Sequence, residues 1–428
     1  MTEIHPGIRH NGNFRKLWAG QSVSLVGSAV TYLALPLLAI YTINAGAFEV
    51  GLIGFAQEVP FLLVTLWAGA WIDRRRRIPV MLVVDFTRAG LLVLLVVLAL
   101  AHLLTLESIM AIVFVFGIGS VLFDVSYFSV LPSIVNRSDL MTANSRLQYS
   151  ESIATVTGPN IGGFLIQAIS APFALLVDAF SFLISAANLM RIRTVETVER
   201  RIGPEQSQWQ QIKAGLAYVA RNPMLRTLTA GSALYNFFAN WTMTLFPVLA
   251  VRVLGLNAGS IGLVLSSGAI GSLFGALVAA PLIRRLGAGH SYLLAKSITW
   301  IGVFSLTLAP AHRSYTLLML LAVFWTTGMM IVANVVGITL RQAVTPYAML
   351  GRMNATYKFV SFGAQALGPF AGGLVGAAFG VRFGIVAGAI GLLSSVLVGF
   401  APAVRRIREL PASLPAEPAT VDDTIART

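Results

Sequence analysis

Gly158-Pro159-Asn160-Ile161-Gly162-Gly163 and Gly368-Pro369-Phe370-Ala371-Gly372-Gly373 are two copies of one pattern, 210 residues apart. Each lies inside a long apolar stretch, where glycine and proline weaken a helix. The same offset of 210 relates Leu140 to Leu350 and Asn144 to Asn354. An offset of 211 relates Arg15 to Arg226, Gly20 to Gly231, Gly51 to Gly262 and Leu52 to Leu263. One inserted or deleted residue between the blocks accounts for the drift. The chain is therefore a duplicated unit, and the glycine pattern belongs to that unit.

Composition names the solvent. Of 428 residues 56% are hydrophobic and only 11% charged, too apolar a balance for a chain surrounded by water. A helix crosses the hydrocarbon core with about 20 apolar residues. Apolar runs fall at 15–43, 49–72, 79–101, 108–131, 141–168, 172–191, 224–253, 258–283, 290–310, 315–341, 351–379 and 382–402. The polar interval Arg193–Asn222 divides them six and six. This predicts an all-α polytopic membrane protein, with twelve transmembrane helices in two six-helix bundles. An even number of spans per copy makes the copies parallel, related by an axis along the membrane normal. In transporters so built, the substrate site lies near the midplane between the halves. The expected divisions are an N-terminal bundle at 1–192, a linker at 193–223, a C-terminal bundle at 224–402 and a disordered tail at 403–428. Within the linker Trp209, Ile212, Leu216 and Val219 recur at helical spacing, predicting an amphipathic helix on the inner membrane face.

The net charge of +13 follows topology. Reading the loops alternately places 23 Lys and Arg, Arg341 among them, on one side and three (Arg252, Arg313, Arg382) on the other. Basic loops stay on the cytoplasmic side. Both termini are thus expected in the cytoplasm, and the basic balance needs no nucleic acid. The chain has no cysteine, which excludes disulfides and thiolate metal sites. Its five histidines fall at loops or run ends, without a metal-ligand spacing or a nucleophile–base arrangement, so no metal site and no enzyme is expected. Gly271 and Gly275, four apart, predict close helix packing.

A further motif is Gly69-Ala70-Trp71-Ile72-Asp73-Arg74-Arg75-Arg76-Arg77, which fits Gly-x-x-x-Asp-Arg-x-x-Arg. Other telling stretches are Asn13-Phe14-Arg15, Asp85-Phe86-Thr87-Arg88, Leu131-Pro132-Ser133-Ile134-Val135, Ala143-Asn144-Ser145-Arg146 and the run from Thr345 to Asn354. With these motifs the chain resembles the major facilitator superfamily over about residues 10–402, in its macrolide-efflux and enterobactin-exporter branch of drug-proton antiporters. The resemblance implies a secondary active exporter of amphipathic small molecules, working by proton antiport and alternating access in a bacterial inner membrane. It implies a proton gradient in place of a cofactor, membrane lipid around the chain, and a monomer. Gly69, Asp73, Arg74, Arg77, Asp85, Arg88 and Asp124 would form a latch of the outward-open state, with Asp124 as a relay partner for the loop arginines. Gly158, Pro159, Gly162 and Gly163 match the family's antiporter motif, although its upstream glycine is here Ala154. The second copy has Ile283 or Arg284 where the first has Asp73, so the latch is expected to be asymmetric. A lipid transporter or flippase on the same fold, and a proton-coupled importer, remain alternatives.

Ionisable groups at membrane depth are costly and mark function. Glu58, Asp85, Asp124, Glu151 and Asp178 fall within first-copy spans, whereas no carboxylate occurs between Glu205 and Glu409. The second copy is expected to bury Lys296 and Lys358 instead, and Lys296 lies 211 residues beyond Asp85. Asp85 and Arg88, three apart, suit an ion pair along one helix. Glu151, beside Arg146, suits the cytoplasmic charge network. Glu58 has no cation in Gln57-Glu58-Val59-Pro60 and is the first candidate for proton coupling, followed by Asp178 and Asp124. The aromatic and amide stretch supplies Tyr235, Asn236, Phe237, Asn240 and Trp241 as candidates for a cavity that takes bulky, partly apolar ligands. Gln21, Tyr32, Tyr127, Trp325, Asn334, Tyr357 and Gln365 are further cavity candidates.

Overall fold

A computed structural model describes residues 11–136, 139–193, 208–307 and 316–405. Most of the tail expected at 403–428, Arg313, and the side chains of Asp73, Trp209 and Ile212 lie outside the described residues. The helices are α1 Gly12–Thr42, α2 Ala47–Asp73, α3 Arg77–Leu100, α4 Leu106–Ile134, α5 Leu140–Ile169, α6 Ala171–Met190 and α7 Gln208–Arg221. They continue as α8 Pro223–Val248, α9 Ala258–Leu286, α10 Ala288–Thr307, α11 Thr316–Ala343, α12 Tyr347–Phe379, α13 Val381–Gly399 and the short α14 Pro402–Arg405. A π-helical turn, Leu249–Val253, extends α8. Apart from α7 and α14, the helices run 19 to 33 residues and, with the π-turn counted in α8, match the predicted apolar runs to within four residues. Among the described residues nine are long and apolar enough to cross a membrane. The long helices outside those nine, α5, α8 and α10, carry the polar residues discussed below.

Local chemistry sets the helix starts. Backbone N–H groups in a first turn have no intrahelical acceptor, so side chains supply one. The Asn11 side chain accepts from the Phe14 N–H, that of Asn222 from Met224 and Leu225, and that of Asn257 from Ser260. The Glu49 carboxylate instead reaches back 2.8 Å to the Gly46 N–H. Two joints have no room for a loop. Ser170 alone joins α5 to α6 with φ 76° and ψ 163°, and Gly380, 210 residues later, joins α12 to α13 with φ 90° and ψ 152°.

Packing differs between the two sides. The terminal side is where α1 begins; the far side is where it ends. On the far side one buried apolar cluster runs through both helix sets, taking in Leu37 of α1, Leu95 of α3, Leu175 of α6, Leu245 of α8 and Ile261 of α9. On the terminal side there are separate clusters, one around Phe14, Met81 and Phe123 and another around Leu228, Tyr292 and Val336. Trp67, Phe164, Phe180, Leu277 and Phe379 are exposed on the outside, apolar surface that only lipid would cover. The linker helix α7 does more than the expected surface role: Val219 is buried with Met353, and Gly215 abuts Thr356 and the Arg352 carbonyl of α12.

Candidate functional site

The repeated glycines lie where helices touch. A methyl group at Gly158 would collide with Ala29, and one at Gly162 would stand 3.2 Å from the Val30 Cα, both on α1. In the second copy a methyl at Gly368 would collide with the Phe237 carbonyl, and one at Gly372 would meet the Trp241 indole at 2.8 Å, both on α8. The last glycine of each copy faces the opposite helix set. A methyl at Gly163 would lie 2.6 Å from the Ala258 carbonyl and 3.0 Å from the Gly262 Cα of α9. One at Gly373 would lie 2.8 Å from the Gly51 Cα of α2. Gly51 and Gly262 are themselves repeat partners, so the far side carries a seam of two equivalent glycine pairs. A clasp supports it: the Arg252 guanidinium donates to the Asn44 backbone carbonyl at 2.6 Å and to its side-chain oxygen at 2.8 Å.

Toward the terminal side the same helices leave the seam. Asn144, Ser145, Gln148, Tyr149, Glu151 and Thr155 of α5 are exposed, as are Asn354 and Lys358 of α12. A polar face within a long helix points to a water-filled cleft rather than lipid. Glu151 accepts a hydrogen bond from Gln148 at 3.2 Å, and the Arg146 guanidinium lies 5.7 Å from the Trp18 ring. Lys358, expected to be buried, stands in this exposed face because its register on α12 turns it from the core.

Beneath the seam is a pocket of about 640 Å³ between α1, α2, α8, α9 and α12. Tyr32, Glu58 and Asn240 line it. The Gln365 side-chain amide of α12 donates to the Glu58 carboxylate at 3.1 Å. That bond joins an acid of the first helix set to an amide of the second.

Three other acids of the first set gather round one cation. Arg88 pairs with Asp85 at 2.7 Å and lies 4.4 Å over both the Phe123 and Phe182 rings. Asp124 and Asp178 lie within its electrostatic reach. Asp178 is fully buried between α1 and α6, accepting from Thr31 at 2.6 Å and Ser181 at 2.9 Å. Asp124 is exposed on α4. Of the residues expected to form the latch, Asp85 and Arg88 pair with each other away from the loop. Asp85 lies roughly 12 Å along α3 from the loop, at 1.5 Å per residue, and Arg88 is held by it inside the bundle. Of the loop, Arg75 lies 4.4 Å over the Trp71 ring, and a methyl at Gly69 would meet nothing within 4 Å.

A second pocket, about 380 Å³, opens between α8, α10, α11 and α12. Tyr235, Asn334 and Tyr357 line it. So do Lys296 and Arg341, each only 7% exposed. Arg341 was expected in a basic loop; α11 extends to Ala343 and buries it. The remaining cavity candidates fall elsewhere. Tyr127 is buried in the terminal-side core of the first set. Trp241 is buried with its indole N–H donating to the Gly384 carbonyl at 2.8 Å, because the small residues Gly372 and Gly388 leave space for its ring. Phe237 packs edge-on against Phe238 and Trp241, and Trp325 against Phe274 and Phe324. Asn236 reaches the Ser361 carbonyl at 3.5 Å, and Gln21, half-buried, lines neither pocket. Gly271 and Gly275 abut the Phe324 and Gly328 carbonyls of α11, the close packing that their spacing predicts.

The fold and the seam define a membrane transporter of the major facilitator type. Residues 7–427 match a family described as transmembrane secretion effector, and the chain belongs to it. Among curated relatives it is 23% identical over 269 residues to macrolide efflux protein A of Streptococcus pyogenes, a match covering 62% of this chain and 65% of that protein. It is 25% identical to the multidrug efflux pump Tap of Mycolicibacterium fortuitum, over 90% of this chain and 93% of the relative. The enterobactin exporter EntS of Citrobacter koseri is 24% identical, over 96% and 95%. Among solved structures, a variant of the nucleoside transporter NupG superposes with a TM-score of 0.75 at 11% identity, covering 91% of this chain and 99% of that one. A bacterial homologue of the iron transporter ferroportin, inward-facing, scores 0.70 at 16% identity, covering 92% and 99%. The outward-facing structure of such a homologue scores 0.58 at the same identity, covering 90% and 98%.

Proposed function

We propose that this chain exports an amphipathic small molecule by alternating access, coupled to proton uptake at Glu58. The observation that carries this reading is the Glu58–Gln365 hydrogen bond, which crosses between the helix sets directly beneath the glycine seam. A carboxyl group there can change charge only by exchanging a proton, and doing so alters a contact between the two halves. The helix sets 1–192 and 224–402 would move as bodies, with 193–223 as the connecting segment. The open terminal side would face the cytoplasm, as the basic loops suggest, and load substrate from it or from the inner leaflet. The relatives named for efflux or export support the direction, and the better superposition on the inward-facing neighbour supports the state.

Gly69, with space around it, and Asp73, Arg74 and Arg77 would meet the second helix set when the terminal side closes. Asp178 is the second proton-carrier candidate in this scheme and Asp124 the third, because the bonds of Asp178, from Thr31 and Ser181, stay within the first helix set. The protein would work as a monomer in a bacterial inner membrane, driven by the proton gradient. The test is uptake of anionic and cationic amphipathic dyes into inverted vesicles under an imposed pH gradient. Glu58→Gln should abolish gradient-driven flux and retain dye binding. Unchanged coupled flux in that variant sinks the assignment to Glu58.

A further inference from the structure

We infer that the pocket holding Lys296 and Arg341 is an anion-binding subsite, taking a carboxylate, sulfonate or similar acidic group attached to an aromatic or apolar body. The role of that anion as cargo rests on the export reading above; its binding does not. Three facts meet at this pocket. First, both cations are buried, and among the described residues neither has a carboxylate partner. The Lys296 ammonium lies 4.3 Å over the Tyr235 ring and donates to the Gly231 carbonyl at 3.5 Å, the limit of a hydrogen bond. The Arg341 guanidinium lies 3.5 Å over the Tyr357 ring, and its Nε is buried without a hydrogen-bond partner. Second, the pocket is lined without any acid, and the chain has no carboxylate from residue 206 to residue 408. Third, the pocket has a polar lip, the exposed Asn334 on α11.

A buried cation is costly unless an anion and hydrogen bonds complete its shell. Cation–π contacts offset only part of that cost. The first helix set completes its own shell, since Arg88 has Asp85. The second set has no carboxylate to do so, which leaves the cations to a ligand. Their types suit one. Arginine presents a planar fork to a carboxylate or sulfonate, and lysine adds a point charge. Tyr235 and Tyr357 offer ring faces to the body that carries the acid, and the Ser232–Tyr357 hydroxyl bond at 2.6 Å holds the second ring. On α8, Ser232, Asn236 and Asn240 recur every four residues, and the first and last line the two pockets. The stripe runs about 12 Å at helical rise. It links the cationic pocket to the Glu58 pocket along one helix edge.

The probes are 2-naphthoate and its uncharged counterpart 2-naphthamide, titrated calorimetrically into the purified full chain in phosphatidylcholine nanodiscs without a pH gradient. The wild type should bind the naphthoate about tenfold or more tighter. Lys296→Gln and Arg341→Gln should each remove most of that preference. Asn334→Asp, a change at an exposed residue that leaves the buried packing intact, should weaken the naphthoate far more than the naphthamide and so reduce the preference. Equal affinity of the wild type for both probes, no naphthoate binding, or an Asn334→Asp chain that keeps the full preference would overturn the inference. Replacing part of the lipid with phosphatidylglycerol separates the sources of the anion. Competition that depends on Lys296 supports the subsite with a lipid headgroup in it, and absence of competition supports it with a free organic acid. The two readings also fail separately. Loss of gradient-driven flux in Glu58→Gln with the naphthoate preference intact leaves both standing, whereas an absent preference beside intact coupled flux removes the subsite alone.

Discussion

Asp85 and Lys296 occupy equivalent places in the two copies, and both are buried. Asp85 has its counter-ion one turn away on the same helix, in Arg88. Lys296 has two aromatic rings and a distant carbonyl. One fold position thus tolerates a charge of either sign, and what differs is where the neutralising charge comes from. In the first helix set it is built in. In the second it is left out of the sequence over two hundred residues. A charge satisfied within the protein stabilises structure, and one left open is available to a ligand.

The largest effect should come from breaking the closed arrangement. Asp85→Ala strands Arg88 between two phenylalanine rings and should cost about 3–5 kcal/mol of stability, seen as a large fall in the thermal midpoint in detergent. Lys296→Met leaves no partner behind and should cost no more than about 1 kcal/mol. Equal losses would dissolve the contrast. Next come the features that the copies share. Gly163→Val and Gly51→Val should each disfavour the far-side seam by about 1–3 kcal/mol of overpacking. The readout is increased far-side labelling of single cysteines introduced into this cysteine-free chain. A marked inequality between the two variants would show that the pairs are equivalent in form only. The smallest effect tests a single joint. Ser170 holds a backbone conformation that its counterpart Gly380 adopts without a side-chain penalty. Ser170→Gly should therefore raise stability by about 1 kcal/mol, and no rise in the thermal midpoint would show that the joint carries no strain.

The helix spans and the duplication were legible because both are one-dimensional: apolar length sets a span, and a constant offset reveals a copy. That Glu58 has no cation beside it was legible in the sequence, whereas its place in a pocket and its bond to Gln365 were not. Which way a side chain faces was not. Tyr235 to Met243 is one aromatic and amide run, yet Tyr235 and Asn240 line pockets and Trp241 fills a core niche between glycines. An aromatic ring is equally at home in a cavity, a core or lipid, so composition does not choose. Arg341 was hidden for a related reason. At the end of an apolar run it reads as a loop charge, and only the extra length of α11 buries it. The glycine motif could be seen twice in the sequence, but its partners Gly51 and Gly262 lie in other helices, and their contact exists only in three dimensions.

The seam has a consequence for leakage. Where Gly51 meets Gly373 and Gly163 meets Gly262, the helices approach through Cα atoms and backbone. No hydroxyl, amide side chain or carboxylate at those four residues can hold a file of water across the joint. A closed far side of this kind is insulating, so the acid proposed to carry the proton can sit just beneath it without opening a leak across the membrane.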